Sequence, residues 1–208
     1  MNWDGFGPLI LPYATTCPVP LLEQHARLAA IEFLAHTKAW RADLAPVVGD
    51  GVLTAFTLVA PTDSQIEKLL AVVITDAYGN VTEANVKVDL DGARLGRMAS
   101  SSVLAYLQGR KLLAVKPVQA TGASIVATVA LKPTLTAATI PDEVFEQYGQ
   151  FIANGALAKL TSMANKPWTD TTTARINEAE FINAKAVTAR QAERGFAKSG
   201  RRSATRWF

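Results

Sequence analysis

The hydrophobic period of this chain changes twice, and those changes restrict its fold more tightly than any other feature. Between about Pro20 and Trp40 the apolar residues Leu22, Ala26, Ala29, Phe33 and Trp40 fall on one helical face. Glu23, Gln24, Arg27, Glu32 and Lys38 lie mostly off that face. From about Val52 to Pro133 the period drops to two, the signature of half-buried strands. After Thr139 the helical spacing returns. The predicted fold is therefore α+β: a helical bundle of an N-terminal helix plus a C-terminal helix pair, an inserted antiparallel β-sheet or sandwich, and an extended basic C-terminal tail. The corresponding boundaries are an irregular segment at 1–19, a helical core at 20–45 and 139–196, a β insert at 46–138, and an arm at 197–208.

The C-terminal pair is the most informative part. Pro141 suits a helix start, because its missing N–H has no intrahelical partner there. Asp142 and Glu143 then face the positive end of the helix dipole. Val144, Tyr148, Phe151 and Gly155 follow at helical spacing and predict one buried face. Gly155-Ala156 would let another helix approach closely, although glycine lowers helix propensity by about 1 kcal/mol relative to alanine. Pro167 pushes Lys166 out of the helical region, so this helix is expected over Pro141–Asn165. A second helix is expected over Thr172–Phe196, capped by Thr171, Thr172 or Thr173.

Within the insert, Leu53–Leu58, Leu69–Ile74, Val86–Leu90, Lys111–Val115 and Ser124–Val129 read as short strands. Asp76-Ala77-Tyr78-Gly79-Asn80 reads as a hairpin turn, and Ala93–Gln108 is ambiguous between loop, short helix and strand. The first 19 residues hold too many glycines and prolines for a long regular element. Their apolar residues, Trp3, Phe6, Leu9, Ile10, Leu11 and Tyr13, predict a segment laid across a surface.

Composition narrows the function classes. A 49% hydrophobic and 19% charged chain has enough apolar material for a real core. One cysteine, Cys17, allows no internal disulfide and fits a reducing compartment. No basic region followed by an apolar run opens the sequence, and no stretch approaches the roughly 18 apolar residues of a membrane span. The expectation is a soluble product made in the cytoplasm, without a membrane partner. From Lys185 onward seven basic residues face one acid, a balance of +6 that leaves −3 for the rest of a chain whose net charge is +3. The basic character belongs to the C-terminal stretch.

A search for catalytic or metal-binding chemistry yields little. His25 and His36 lie eleven residues apart on one helix, about 16 Å at 1.5 Å per residue, too far to share a metal. They read as surface or cap histidines. Cys17 has no partner and reads as a buried or indifferent thiol. Asp4, Asp43, Asp50, Asp63, Asp76, Asp89 and Asp91 match no calcium loop and read as turn acids. Gly5-Phe6-Gly7-Pro8 has no following Lys-Ser/Thr and is no phosphate loop. No catalytic residue, cofactor or metal ligand is assigned, and the chain reads as a non-enzyme.

The C-terminal stretch carries the functional signal: arginine and aromatic residues supply most interface binding energy, and Arg206-Trp207-Phe208 combines both. The layout as a whole, with Leu21–Trp40, Ile140–Phe145, Gly155–Leu160, Lys166–Trp168 and Phe181–Ala189 as its markers, resembles the head-to-tail connector proteins of tailed phages. More narrowly, it resembles the adaptors that dock beneath the portal. The β insert offers no matching motif. The resemblance implies a structural virion protein at the head–tail junction, on the path of genome ejection, forming a ring of about twelve copies. It implies docking to the portal protein through Lys198, Arg201, Arg202, Arg206, Trp207 and Phe208, and a downstream tail partner, either nozzle or tube. Contact with packaged DNA is a further expectation. Packing of the subunit is expected from Phe33, Trp40, Phe145, Tyr148, Phe151, Gly155, Trp168 and Phe181.

Two alternatives stand beside this reading. One is another tail-completion or tail-tube subunit. The other is a nucleic-acid-binding protein using the basic arm, for which arginine–aromatic stacking and salt-sensitive binding are the marks. An enzyme acting on cell walls would need a placed carboxylate pair, and none is evident.

Overall fold

The computed structural model describes residues 1–86 and 103–194, and shows an α+β chain of two parts. The helical part contains a 3₁₀ turn (Trp3–Phe6), α1 (Gly7–Ile10), α2 (Val19–Thr37), α3 (Asp142–Thr161) and α4 (Thr171–Arg194). Among the described residues, nine strands lie between α2 and α3: β1 (Arg41–Asp43), β2 (Val47–Val48), β3 (Ala55–Thr57), β4 (Ser64–Thr75), β5 (Val81–Glu83), β6 (Asn85–Val86), β7 (Leu104–Gln108), β8 (Leu112–Lys116) and β9 (Ser124–Pro133).

The N-terminal segment differs from its expectation. Trp3, Phe6 and Ile10 are fully buried in the helical core, and the indole N–H of Trp3 donates to the Ala137 carbonyl at 2.8 Å. Proline and glycine forbid a long helix there but permit two short turns, and those turns drive three large apolar side chains inward. An antiparallel bridge from Asn2 to Thr139 ties this segment to the start of α3. Residues 1–19 are thus part of the helical core.

α2 begins as expected, with Pro20 in its first turn, and buries Leu22, Ala26, Ala29, Ala30, Phe33 and Leu34 along one stripe. It stops three residues early. Lys38 adopts a left-handed conformation (φ 55°) and its N–H bonds to the Leu34 carbonyl, so Trp40 lies beyond the helix. α3 likewise ends at Thr161 rather than Asn165, whose own φ is +58°. Its buried residues include Val144 and Gly155 of the expected line, but Tyr148 is half-buried and Phe151 exposed, and Gly149, Ile152, Ala153, Ala156, Leu157 and Leu160 complete the stripe. α4 is capped not by a threonine but by Asp170, whose Oδ1 accepts the N–H groups of Thr172 and Thr173 at 2.9 and 3.1 Å.

The strands form two sheets. One has the order β1-β9-β4-β5, with β2 also on β9; the other has the order β3-β8-β7-β6. All pairs are antiparallel except β6 with β7. Ile66, Leu69, Val72 and Ile74 of β4 and Ile125, Ala127, Val129 and Leu131 of β9 share a core with Phe56, Ala105, Leu113 and Val115 of the second sheet. This is a sandwich. Two register shifts, between Ile66 and Lys68 and between Leu69 and Ala71, make Glu67 and Leu70 the extra residues of β-bulges. Each bulge lets the next apolar residue three positions on face inward, which breaks the plain alternation and hides Ser64–Lys68 from a period-two reading. The β4–β5 hairpin turns at Asp76–Asn80 as expected, with Asp76 Oδ1 accepting from Tyr78 N and Asn80 N at 2.8 Å each. Leu104–Gln108 is strand, while 93–102 of the ambiguous stretch and 87–90 lie outside the described residues. β1 and β2 extend the β part back to Arg41, so the expected boundary at residue 46 is too late.

Candidate assembly surface

The residues expected to pack the subunit come together around one aromatic hub. Phe33 is fully buried, with ring centroids of Tyr148, Phe181 and Phe151 at 5.5, 6.0 and 6.2 Å. Phe145 meets Phe6 edge-on at 4.9 Å, a favoured aromatic geometry. At Gly155 an added Cβ would lie 2.7 Å from the Phe181 ring, so the glycine is what lets α4 seat on α3. Trp168 packs on the helical core from the α3–α4 connection. Trp40 is different: it touches both the helical core and the sandwich core.

This packing leaves α4 flanked by two surface clefts. On one side, Tyr148, Phe151 and Val187 floor a groove of about 520 Å³ between α3 and α4, rimmed by Gln147, Asn154, Asn183 and Gln191. Phe151 is 38% exposed there, although it also stacks on Phe33. Asn154 is buried and held in a short polar ladder: Gln150 Nε2 donates to its Oδ1 at 3.0 Å, and its Nδ2 donates to Glu180 Oε2 at 2.7 Å. Across α4, a second cleft of about 370 Å³ contains Glu32, Lys159, Arg175, Glu178, Ile182 and Lys185. Here Glu32 of α2 receives Lys159 Nζ of α3 at 2.7 Å and Lys185 Nζ of α4 at 2.6 Å, a single carboxylate joining three helices. Burial alone would raise its pKa; the two ammonium groups outweigh that and hold the carboxyl below its ordinary value. Lys185 also lies 4.6 Å from the Phe181 ring centre. Ile176 and Ile182 of α4 remain 56% and 54% exposed, large apolar groups without a partner among the described residues. The arrangement can hold another protein surface: apolar floors for burial, amide and charged rims for register.

The expected portal-docking residues Lys198, Arg201, Arg202, Arg206, Trp207 and Phe208 lie outside the described residues. Cys17 is buried, and burial pushes its thiol pKa up. His36 is exposed, whereas His25 is half-buried with Nδ1 lacking a hydrogen-bond partner. Burial, then the Lys159 charge, holds the His25 pKa below its ordinary value. Among the described residues, no three His, Cys, Asp or Glu side chains converge as a metal site. Asp50 and Asp76 serve turns: backbone N–H groups of Leu53 and Val52 lower the Asp50 carboxyl pKa, and the Asn80 side-chain amide, then backbone N–H groups, lower that of Asp76. Asp63, itself at φ +63°, accepts from Ala138 N, Thr139 N and Thr139 Oγ1 and so holds the β9–α3 connection against the β3–β4 turn.

Sequence reasoning missed the two carboxylates with the densest charge partners, Glu32 and Glu67. Spacing places Glu32 only off the apolar helix face and singles out nothing at Glu67, because their partners lie at least 29 residues away. No helix of the described residues is long and apolar enough to cross a membrane. No family model matches this chain, and no curated protein matches it in sequence.

Proposed function

We propose that this chain is a structural assembly subunit, a head-to-tail adaptor of a tailed phage that forms a ring between portal and tail. The observation that carries the proposal is the pair of clefts flanking α4, where Phe151, Ile182 and Val187 stay exposed on a well-packed helical unit, with Ile176 a further exposed apolar residue of α4. Exposed apolar groups rimmed by polar ones are the mark of a surface that receives another protein. In this reading neighbouring copies meet the helical faces and the sandwich reaches toward the tail. The Arg- and aromatic-containing stretch from Lys198 to Phe208 docks on the portal.

Mass photometry of the full-length chain and of a truncation after Gly195, each mixed with purified portal rings, tests this. Many copies per portal for the full-length chain, lost on truncation, are expected. A second reading, nucleic-acid binding, is favoured by the +6 balance from Lys185 onward. Salt-sensitive binding to duplex DNA with no portal binding would replace the adaptor reading with that one.

A further inference from the structure

One carboxylate stands where three parts of the molecule meet. Glu67 is the unpaired residue of the first β4 bulge. Lys132 Nζ of β9 lies 2.6 Å from its Oε2, and Lys132 is only 8% exposed. Arg110 Nη2, from the β7–β8 turn of the other sheet, lies 3.9 Å from the same oxygen. Lys38 Nζ, at the left-handed end of α2, donates to Oε1 at 3.4 Å and also to the Ala35 carbonyl that closes that helix.

Across this junction other ties are few: Asp63 of the β3–β4 turn accepts from Ala138 N, Thr139 N and Thr139 Oγ1, just before α3. Among the described residues, Trp40 is the one side chain packed against both hydrophobic cores. Arg41 of β1 donates to the Ala192 carbonyl of α4, but this contact is exposed and therefore weak.

We propose that Glu67 is a latch that fixes the angle between the helical unit and the sandwich. Three cations converge on one anion, and Lys132 cannot escape to water. Without the Glu67 charge, the remaining ammonium and guanidinium groups repel one another, and the buried Lys132 loses its counter-charge. Lys38 is the only one of the three cations carried by the helical unit, so the repulsion is relieved when that unit swings away from β9. The articulation lies at Lys38–Arg41, around Trp40.

The test uses the full chain in a Cys17→Ala background, with spin labels at Tyr78→Cys and Ile176→Cys. Tyr78 tips the β4–β5 hairpin at 92% exposure, and Ile176 is an exposed residue of α4. Glu67→Gln is expected to broaden the label–label distance distribution. Adding Lys132→Met, which removes the stranded cation, is expected to narrow it part of the way, because the repulsion goes while Lys38 stays without its anion. Hydrogen exchange should localise the change: the Leu131 amide, bonded to the Trp40 carbonyl, exchanges about tenfold faster in Glu67→Gln while Ile152 of α3 keeps its protection. An unchanged distribution, or a double variant as broad as Glu67→Gln alone, would overturn the latch. So would an equal loss of protection at Leu131 and Ile152, which marks general destabilisation. If Glu67→Gln fails to fold, Lys38→Met cuts only the helical link; a distribution unchanged by that substitution also overturns the proposal.

Discussion

The two parts of this molecule are built from different materials. The helical unit is organised by rings: Trp3, Phe6 and Phe145 at one end, Phe33 with Tyr148, Phe151 and Phe181 in the middle. The core between the sheets is almost wholly aliphatic, with Phe56 its one buried aromatic among the described residues and Tyr106 buried in a small separate cluster with Leu104 and Ala114. Rings concentrate energy, because each large side chain touches several helices at once and cannot be replaced by its neighbours. Strand side chains share the load along a ladder. The helical unit should therefore be fragile at a few points, and the sandwich tolerant at many.

The largest expected effect breaks or keeps that contrast. Phe33→Ala should cost about 3–5 kcal/mol in urea denaturation, since three aromatic rings lose their common neighbour. Leu113→Ala, equally buried in the sandwich, should fall toward the lower end of about 2–5 kcal/mol. Equal losses would remove the distinction. Next in size, Gly155→Ala should destabilise by about 1–3 kcal/mol despite the better helix propensity of alanine, because its methyl group meets the Phe181 ring. A neutral or stabilising result would mean that α4 can shift at no cost.

Acid should weaken both parts through their partly buried, ion-paired carboxylates. The folded pKa values of Glu32 and Glu67 lie below the ordinary 4.5, so their ion pairs stabilise fully above that value. That contribution is lost as pH falls through the depressed folded values. Glu32→Gln should flatten the acid limb of a urea-midpoint titration, and an unaltered limb would show that Glu32 titrates as in the unfolded chain. The smallest change is expected from Asp170→Ala. It should speed exchange of the Thr172 and Thr173 amides with little shift in Tm, since the cap is exposed and local.

The legibility of the sequence followed the same division. Regular spacing betrayed α2, α3 and α4, the Asp76–Asn80 turn was visible from its residues, and Gly155 announced the close helix contact that Phe181 makes. What failed were features decided by distant partners. Arg41–Asp43 and Val47–Val48 carry no alternation of their own and become strands only because β9 is there to pair them. Glu67 and Leu70 disturb the β4 pattern because bulges count residues differently from a flat strand. Helical spacing predicts Tyr148 and Phe151 on the buried face with Val144 and Gly155, whereas Ile152 is the fully buried residue and the two rings line the groove. Asp170 outcompeted three threonines for the cap, a choice of local geometry rather than composition.

One small contact has a wider bearing. The Leu131 amide bonds to the Trp40 carbonyl at 2.8 Å, and Arg41 pairs with Ala130 directly beyond it. The chain therefore departs from the helices and comes back to them through two adjacent antiparallel strands, about 5 Å apart. To the helices, everything between is a graft on a two-stranded stem. Natural variation can lengthen, trim or exchange that graft while the stem keeps the same footing, so descendants of this chain can differ most where they reach outward and least where they stack.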